Sequence, residues 1–180
     1  MLKPELQAKF LQHLNNRKKK NDEGFTLIEL LVVVIIIGVL AAIALPSLLG
    51  QVNKAKQSEA KQNIGAMNRA SQAFFLEYQG FASAVAQLQI GIKNPSENYS
   101  YDVVRNTTST FVQNKAIARK PALKSYFGVV ATELGDAATS EALTVAVACE
   151  SLAPSQSVPT VSAYASDCAV STTNYTSLAK

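Results

Sequence analysis

From Leu30 to Leu45 the chain carries not one polar side chain. Counted from Phe25, the apolar stretch is about 31 Å long as helix, at about 1.5 Å per residue, which matches the hydrocarbon core of a bilayer. Such a run has to be covered on every side, by lipid or by other apolar helices. The chain of 180 residues is long enough for one modest domain plus such an extra element. Near the start of the run stands Glu29. A carboxylate at mid-bilayer costs about 2.5–3.5 kcal/mol on insertion scales, so its presence needs a reason.

Charge is placed unevenly around this run. Residues 1–24 hold six Lys/Arg (Lys3, Lys9, Arg17, Lys18, Lys19, Lys20) and three acids (Glu5, Asp22, Glu23). Residues 25–180 hold 11 bases and 10 acids, so the body is close to neutral and the basic pI belongs to the head. That weakens any nucleic-acid reading built on pI alone. The positive cluster on one side of the run predicts that residues 1–24 face the cytoplasm. The one histidine, His13, lies in that head, so a product lacking residues 1–24 has no histidine for catalysis or metal binding. Cys149 and Cys168 are 19 apart, with no CxxC spacing, which argues against zinc. In an exported body one disulfide is the expected state.

The apolar pattern continues past Pro46. Ala60, Ile64, Met67, Ser71, Phe74 and Tyr78 follow 4-3-4-3-4 spacing, while Lys54, Lys61 and Asn68 mark another face. This predicts one helix from Phe25 to about Tyr78, apolar all round in its first half and amphipathic in its second. Gly38 and Pro46 are its weak points, since each lowers helix stability. Tyr78-Gln79-Gly80 ends it. Phe81 to Pro95 reads as a loop with a short helical turn near Ser83–Leu88. Four β-type runs follow: Tyr99–Val104, Thr110–Ala118, Ser125–Thr132 and Leu143–Cys149. The expected fold is α+β, a long helix packed on a four-stranded antiparallel sheet. Residues 151–180 are rich in Ser, Thr, Ala and Pro, with little periodicity and few apolar anchors.

Three readings of residues 24–46 compete. In the first, RKKK and the apolar run form a secretory signal peptide cut within VLAAIALP, and the body is a soluble secreted domain. The run's merger into a long amphipathic helix speaks against that. In the second, the run is a simple anchor, and Thr26-Leu27-Ile28-Glu29 is a T-x-x-E capping box. There Glu29 offsets the helix's positive end, worth about 0.3–1 kcal/mol. In the third, the chain is cut after Gly24. Phe25 then carries a positive amine, and Glu29 pairs with the amine of a staggered neighbouring helix, because unpaired charges are costly in low dielectric. The glutamate is then an assembly device.

Gly24-Phe25-Thr26-Leu27-Ile28-Glu29, the apolar run, Gly38 and Pro46 together resemble a type IV prepilin. KQNIGAMNRASQAFFLEY also resembles the major pilins of cyanobacteria. The resemblance implies a ladle-shaped subunit whose leader, residues 1–24, is removed by prepilin peptidase, which methylates the new N-terminus. It implies Gly24 before the cut, Phe25 methylated, and Glu29, beside Thr26, as the assembly carboxylate. Gly38 to Pro46 matches the segment that loosens in assembled filaments, and Cys149 with Cys168 the disulfide closing a C-terminal loop. Residues 25–46 become the transmembrane and assembly half of the helix, 47–78 its amphipathic half, and 79–180 the globular head. The implied partners are other pilin subunits, the peptidase and the inner-membrane assembly machinery with its cytoplasmic ATPases. The implied route runs from single-pass inner-membrane precursor to retractable surface pilus for adhesion and motility, with DNA uptake within the family's range. The leader departs from the pattern, because family members that begin with Phe usually have leaders far shorter than residues 1–24.

Within the family the alternative is a type II secretion pseudopilin. Lys54, Lys56, Lys61 and Arg69 are a solvated or inter-subunit face that also suits acidic partners or DNA, though no other residue supports DNA. Met67, Phe74 and Phe75 read as packing against the sheet. Asn98, Asn106 and Asn174 head Asn-x-Ser/Thr triplets that arise often by chance. No acid pair or phosphate loop stands out, so no enzyme, cofactor or metal is expected.

Overall fold

The computed structural model describes Lys9, Gln12 and residues 24–108, 110–134, 142–165, 168 and 175–178. His13, the RKKK run and Asn174 lie outside the described residues. The chain divides into two units between Ser47 and Leu48.

Helix α1, Leu27–Tyr78, runs without a break through Gly38 and Pro46. In the first unit its large apolar side chains, Leu27 to Leu45, are exposed. Among the described residues this is the one helix long and apolar enough to cross a membrane, by length and composition. In the second unit α1 is amphipathic. Ala60, Ile64, Met67 and Ser71 are fully buried, as the spacing predicts. Phe74 and Phe75 are partly buried against the same core, and Phe75 stacks on Phe81 with ring centroids 4.8 Å apart. Tyr78 departs from the expected stripe and is exposed. Gln79 ends the helix in the left-handed conformation, at φ 52, and its N–H donates to Phe75 O at 2.8 Å. A 3-10 turn, Val85–Leu88, stands where the sequence predicts a short helical turn.

The sheet has five strands: β1 Tyr99–Arg105, β2 Phe111–Ala118, β3 Tyr126–Leu134, β4 Ala142–Ser151 and β5 Tyr175–Ser177. They lie in sequence order, each antiparallel to the next. The fifth corrects the expectation of four. It is too short for a readable alternation, and it forms because Cys149–Ser151 offers an open edge. Alternation sorts the strands onto two faces. One face meets α1 with Tyr99, Tyr101, Val103, Val112, Ala116, Tyr126 and Val130. The other, with Phe111, Phe127, Val129, Val147 and Cys149, lies under Val158, Val161, Tyr164 and Tyr175. The C-terminal segment therefore has more apolar anchors than its composition suggests.

Coverage on both faces leaves the polar residues of β2 buried, and each finds a partner. Gln113 donates to Pro159 O at 2.8 Å and accepts from Val161 N–H at 3.1 Å. Lys115 Nζ donates to Thr160 Oγ1 at 3.3 Å. Asn114 donates to Asn68 Oδ1 at 2.9 Å and to Ser71 Oγ at 3.2 Å. Asn68 is a second correction. The spacing places it on the polar face of the helix, yet it is 6% exposed and donates to Val147 O at 3.1 Å. Its amide reaches the sheet because Gly128 of β3 has no side chain. A Cβ built there would lie 2.6 Å from Asn68 Cγ.

This close seat is testable. Gly128→Ala forces the Asn68 amide aside and is expected to cost about 1–3 kcal/mol, the usual range for overpacking. Asn68→Ala in the same chain should recover part of that loss. Urea unfolding of the detergent-solubilised chain measures both, and unchanged stability of Gly128→Ala would refute the seat.

Glu150 sets a pH dependence. It ties α1 to β4 through Lys61 Nζ at 2.8 Å and accepts Lys124 Nζ at 3.4 Å. Burial pushes its carboxyl up, but Lys61 and then Lys124 outweigh that and hold it below the ordinary 4.5. A carboxyl lowered on folding adds stability above its unfolded pKa and loses it as pH falls through the folded value. Stability should therefore decline from about pH 4.5 downward, and Glu150→Gln should flatten that part of the curve in acid titrations followed by circular dichroism.

Candidate functional site: the head of the long helix

Gly24, Phe25 and Thr26 precede α1 in non-helical backbone. Phe25 is 86% exposed, and nothing lies within 4 Å of a Cβ built on Gly24. No described residue covers Gly24 or Phe25, and in the sequence the charged residues before them give way to apolar helix just after them. Where the peptide turns helical, the first backbone N–H groups have no partner within the helix. Thr26 and Glu29 supply them. Thr26 is the N-cap, and its carbonyl accepts Leu30 N–H at 3.2 Å. Its Oγ1 accepts Glu29 N–H at 3.3 Å. The Glu29 carboxylate turns back and accepts from Thr26 N–H and Thr26 Oγ1, both at 2.8 Å. This is the reciprocal capping box expected from T-x-x-E.

Both bonds fall on Oε2, about half of the four acceptor positions a carboxylate offers. Phe25, Ile28, Glu29, Val32 and Val33 line one shallow apolar depression on this side of the helix. One charged group therefore stands in a surface that is otherwise hydrocarbon. Within the chain it is held by a cap, through one of its two oxygens.

The other expected site residues lie apart from this one. Gly38 and Pro46 sit inside α1, and a Cβ on Gly38 meets nothing within 4 Å. Cys149 and Cys168 form a disulfide, with Cα atoms 5.9 Å apart and both residues buried. Cys149 is paired with Phe127 on one side and Ser177 on the other, so the bridge fastens the C-terminal segment to β4 between its two neighbours. Of the Asn-x-Ser/Thr triplets, Asn98 is engaged by Glu59 and Lys120, and Asn106 by Thr108 and Thr110. Among the described residues no group of His, Cys, Asp and Glu has the arrangement of a metal site.

Comparison with known proteins agrees with this geometry. The model of the type IV pilin-like G and H family matches residues 57–173. The prokaryotic N-terminal methylation motif matches residues 19–45. The chain is similar to the type IV major pilin protein PilA of Myxococcus xanthus, 40% identical over 111 residues, covering 59% of this chain and 48% of that protein. It is similar to the type II secretion system core protein G of Pseudomonas aeruginosa, 35% identical over 81 residues, covering 45% and 57%. The type IV wide pilus major component PilA4 of Thermus thermophilus is 28% identical over 93 residues, covering 51% and 71%. The chain spans about half the length of the Myxococcus and Pseudomonas relatives. The likeness to cyanobacterial pilins rests on the quoted stretch alone. No solved structure matches. With a family model covering most of the sheet and the methylation motif lying over the capped end of the apolar helix, this chain belongs to the type IV pilin-like family.

Proposed function

We propose that the chain is the precursor of a structural subunit of a type IV pilus. The leader is cut between Gly24 and Phe25, and Phe25 is N-methylated by the same peptidase. The subunit waits in the inner membrane on the Phe25–Leu45 span. Assembly machinery with cytoplasmic ATPases then stacks it with other copies into a surface filament for adhesion and motility. The observation that carries this reading is the capped carboxylate in a bare apolar surface. Glu29 satisfies its own helix with one oxygen, and the other remains to pair with the new amine of a staggered neighbour. A charge pair formed in low dielectric strongly favours that neighbour, because leaving either member alone is costly. Gly38 and Pro46 supply the place where the packed helix loosens.

A second reading has a specific support. The likeness to type II secretion core protein G favours a pseudopilin whose filament stays in the periplasm. Surface filaments in electron micrographs that vanish from a deletion strain decide for the pilus.

Processing gives one prediction. Mass spectrometry of the assembled subunit should find N-methylated Phe25, and Gly24→Arg should leave full-length precursor in the membrane. A mature N-terminus after Ala44 would instead mean a secreted soluble domain.

Assembly gives another, and two substitutions separate the two roles of Glu29. Glu29→Gln keeps a side-chain acceptor for the cap, since Gln serves in the same box, but loses the charge. Glu29→Val loses both and makes the span more apolar. Both variants should stay in the membrane, and both should form few or no filaments. Normal piliation by Glu29→Gln would show that capping is all the glutamate does.

A further inference from the structure

The fold gathers charges from four distant stretches at one end of the sheet, the end where Tyr99, Ala118, Tyr126 and Glu150 lie. Lys120 Nζ donates to Glu97 Oε1 at 2.8 Å and to Asn98 Oδ1 at 3.1 Å. Asn98 donates onward to Glu59 of α1 at 3.3 Å. Arg119 donates to Ser96 O at 2.7 Å. Lys61 and Lys124 share Glu150. Lys54 and Lys56 stand on α1 shortly before Lys61. These groups are six cations (Lys54, Lys56, Lys61, Arg119, Lys120, Lys124) and three carboxylates (Glu59, Glu97, Glu150), a net charge of +3. The rest of residues 25–180 has five bases and seven acids, a net charge of −2. Four of those bases and four of those acids lie among the described residues and cancel, so the surplus of cations among the described residues belongs to this group.

Each of the three carboxylates is already engaged from within. Glu97 is held by Lys120, Glu150 by Lys61 and Lys124, and Glu59 by Asn98. Lys120 in turn keeps the Glu97 carboxyl below its ordinary range. The surplus cations are free to meet a counter-charge outside the chain. Chain connectivity says where that is. Lys54 and Lys56 follow Pro46 on the same helix. At about 1.5 Å per residue, no more than about 15 Å of helix separates them from it. The anionic surface closest to them along the chain is the phosphate layer of the bilayer that holds the span. Its negative potential attracts lysine and arginine within about a Debye length, about 8 Å at physiological salt.

We propose that this end of the head is a docking surface for anionic lipid headgroups, which holds the head of the waiting subunit against the membrane until assembly lifts it off. The inference rests on the reading of Phe25–Leu45 as a membrane span. DNA is the less favoured phosphate partner, because no exposed aromatic side chain accompanies these cations at the described contacts and the bilayer is tethered to the chain itself.

The test uses the full chain in vesicles of phosphatidylcholine alone or with about one-third phosphatidylglycerol. A membrane-impermeant acetylating reagent labels the outward heads, and mass spectrometry reads each lysine. Labelling of Lys54, Lys56 and Lys120 should fall roughly threefold or more in the anionic vesicles relative to the neutral ones, and about 0.5 M salt should abolish the difference. Lys54→Gln with Lys56→Gln should weaken the protection of Lys120. A chain that resists alkaline extraction but labels equally in both vesicles overturns the docking surface and leaves the span standing. A chain that washes out overturns the span, and the docking surface with it. Equal protection by duplex DNA or inorganic phosphate added to neutral vesicles overturns the assignment to lipid.

Discussion

A helix with no polar side from Leu30 to Leu45 has to be surrounded by apolar matter, and the rest of this structure is arranged around that demand. The sheet covers only the second half of α1, where the stripe Ala60, Ile64, Met67 and Ser71 gives it one face to cover. Residues 27–45 are left bare; in the proposed subunit lipid would cover them before assembly and other helices in a filament. Backbone polarity is dealt with at the one place where a helix cannot satisfy itself. The N–H groups of the first turn take Thr26 and Glu29, so the bare stretch carries its polar atoms at its edge and none in its middle.

What was legible in the sequence is what local periodicity encodes. The long helix, the positions of four strands and the capping box follow from 3.6- and 2-residue patterns or from neighbours three apart. What was not legible depends on partners far along the chain. Asn68 reads as a surface residue until Gly128, sixty positions later, leaves room for its amide over the sheet. Gln113, Asn114 and Lys115 are polar, yet all three are buried, because residues 159–161 close over 113 and 115 on one face and α1 over 114 on the other. The short β5 carries no pattern at all, and its pairing is set by the free edge of β4. The candidate site was readable almost whole because Gly24 to Glu29 are adjacent. The basic end was not, because residues 54–61, 97, 119–124 and 150 meet only in the fold.

The C-terminal segment shows how covalent and non-covalent anchoring divide the work. A bridge closing a loop of about 20 residues contributes roughly 3 kcal/mol in the chain-entropy account. Here the same segment also buries Val161 and lays Val158, Tyr164 and Tyr175 on the outer sheet face, with Tyr175 against Phe127 at 5.0 Å between ring centroids. Cys149–Cys168 therefore closes an interface that already packs, and fixes its register on β4. The edge strand at that point is very short, which limits further strand addition on that side.

The cap that Glu29 forms and the pairing proposed for it are compatible for an electrostatic reason. The N-terminus of a helix carries about half a positive charge from its aligned peptides. The proposed cut after Gly24 would place a full positive amine just before α1, beside a terminus that already repels it. Glu29 softens that conflict from within its own chain, but Oε2 is committed to the backbone and hydroxyl of Thr26. The amine is left poorly compensated at the edge of an apolar surface, and so is the second oxygen of the carboxylate. Two such subunits, offset so that the amine of one met the carboxylate of the other, would relieve both deficits at once while their apolar surfaces closed over the pair. The axial offset is then selected by charge, and the lateral contact by the demand that the bare helix be covered. On the proposed reading, a charge that is costly in a lone membrane helix would be the feature that tells one helix where along its neighbour to stop.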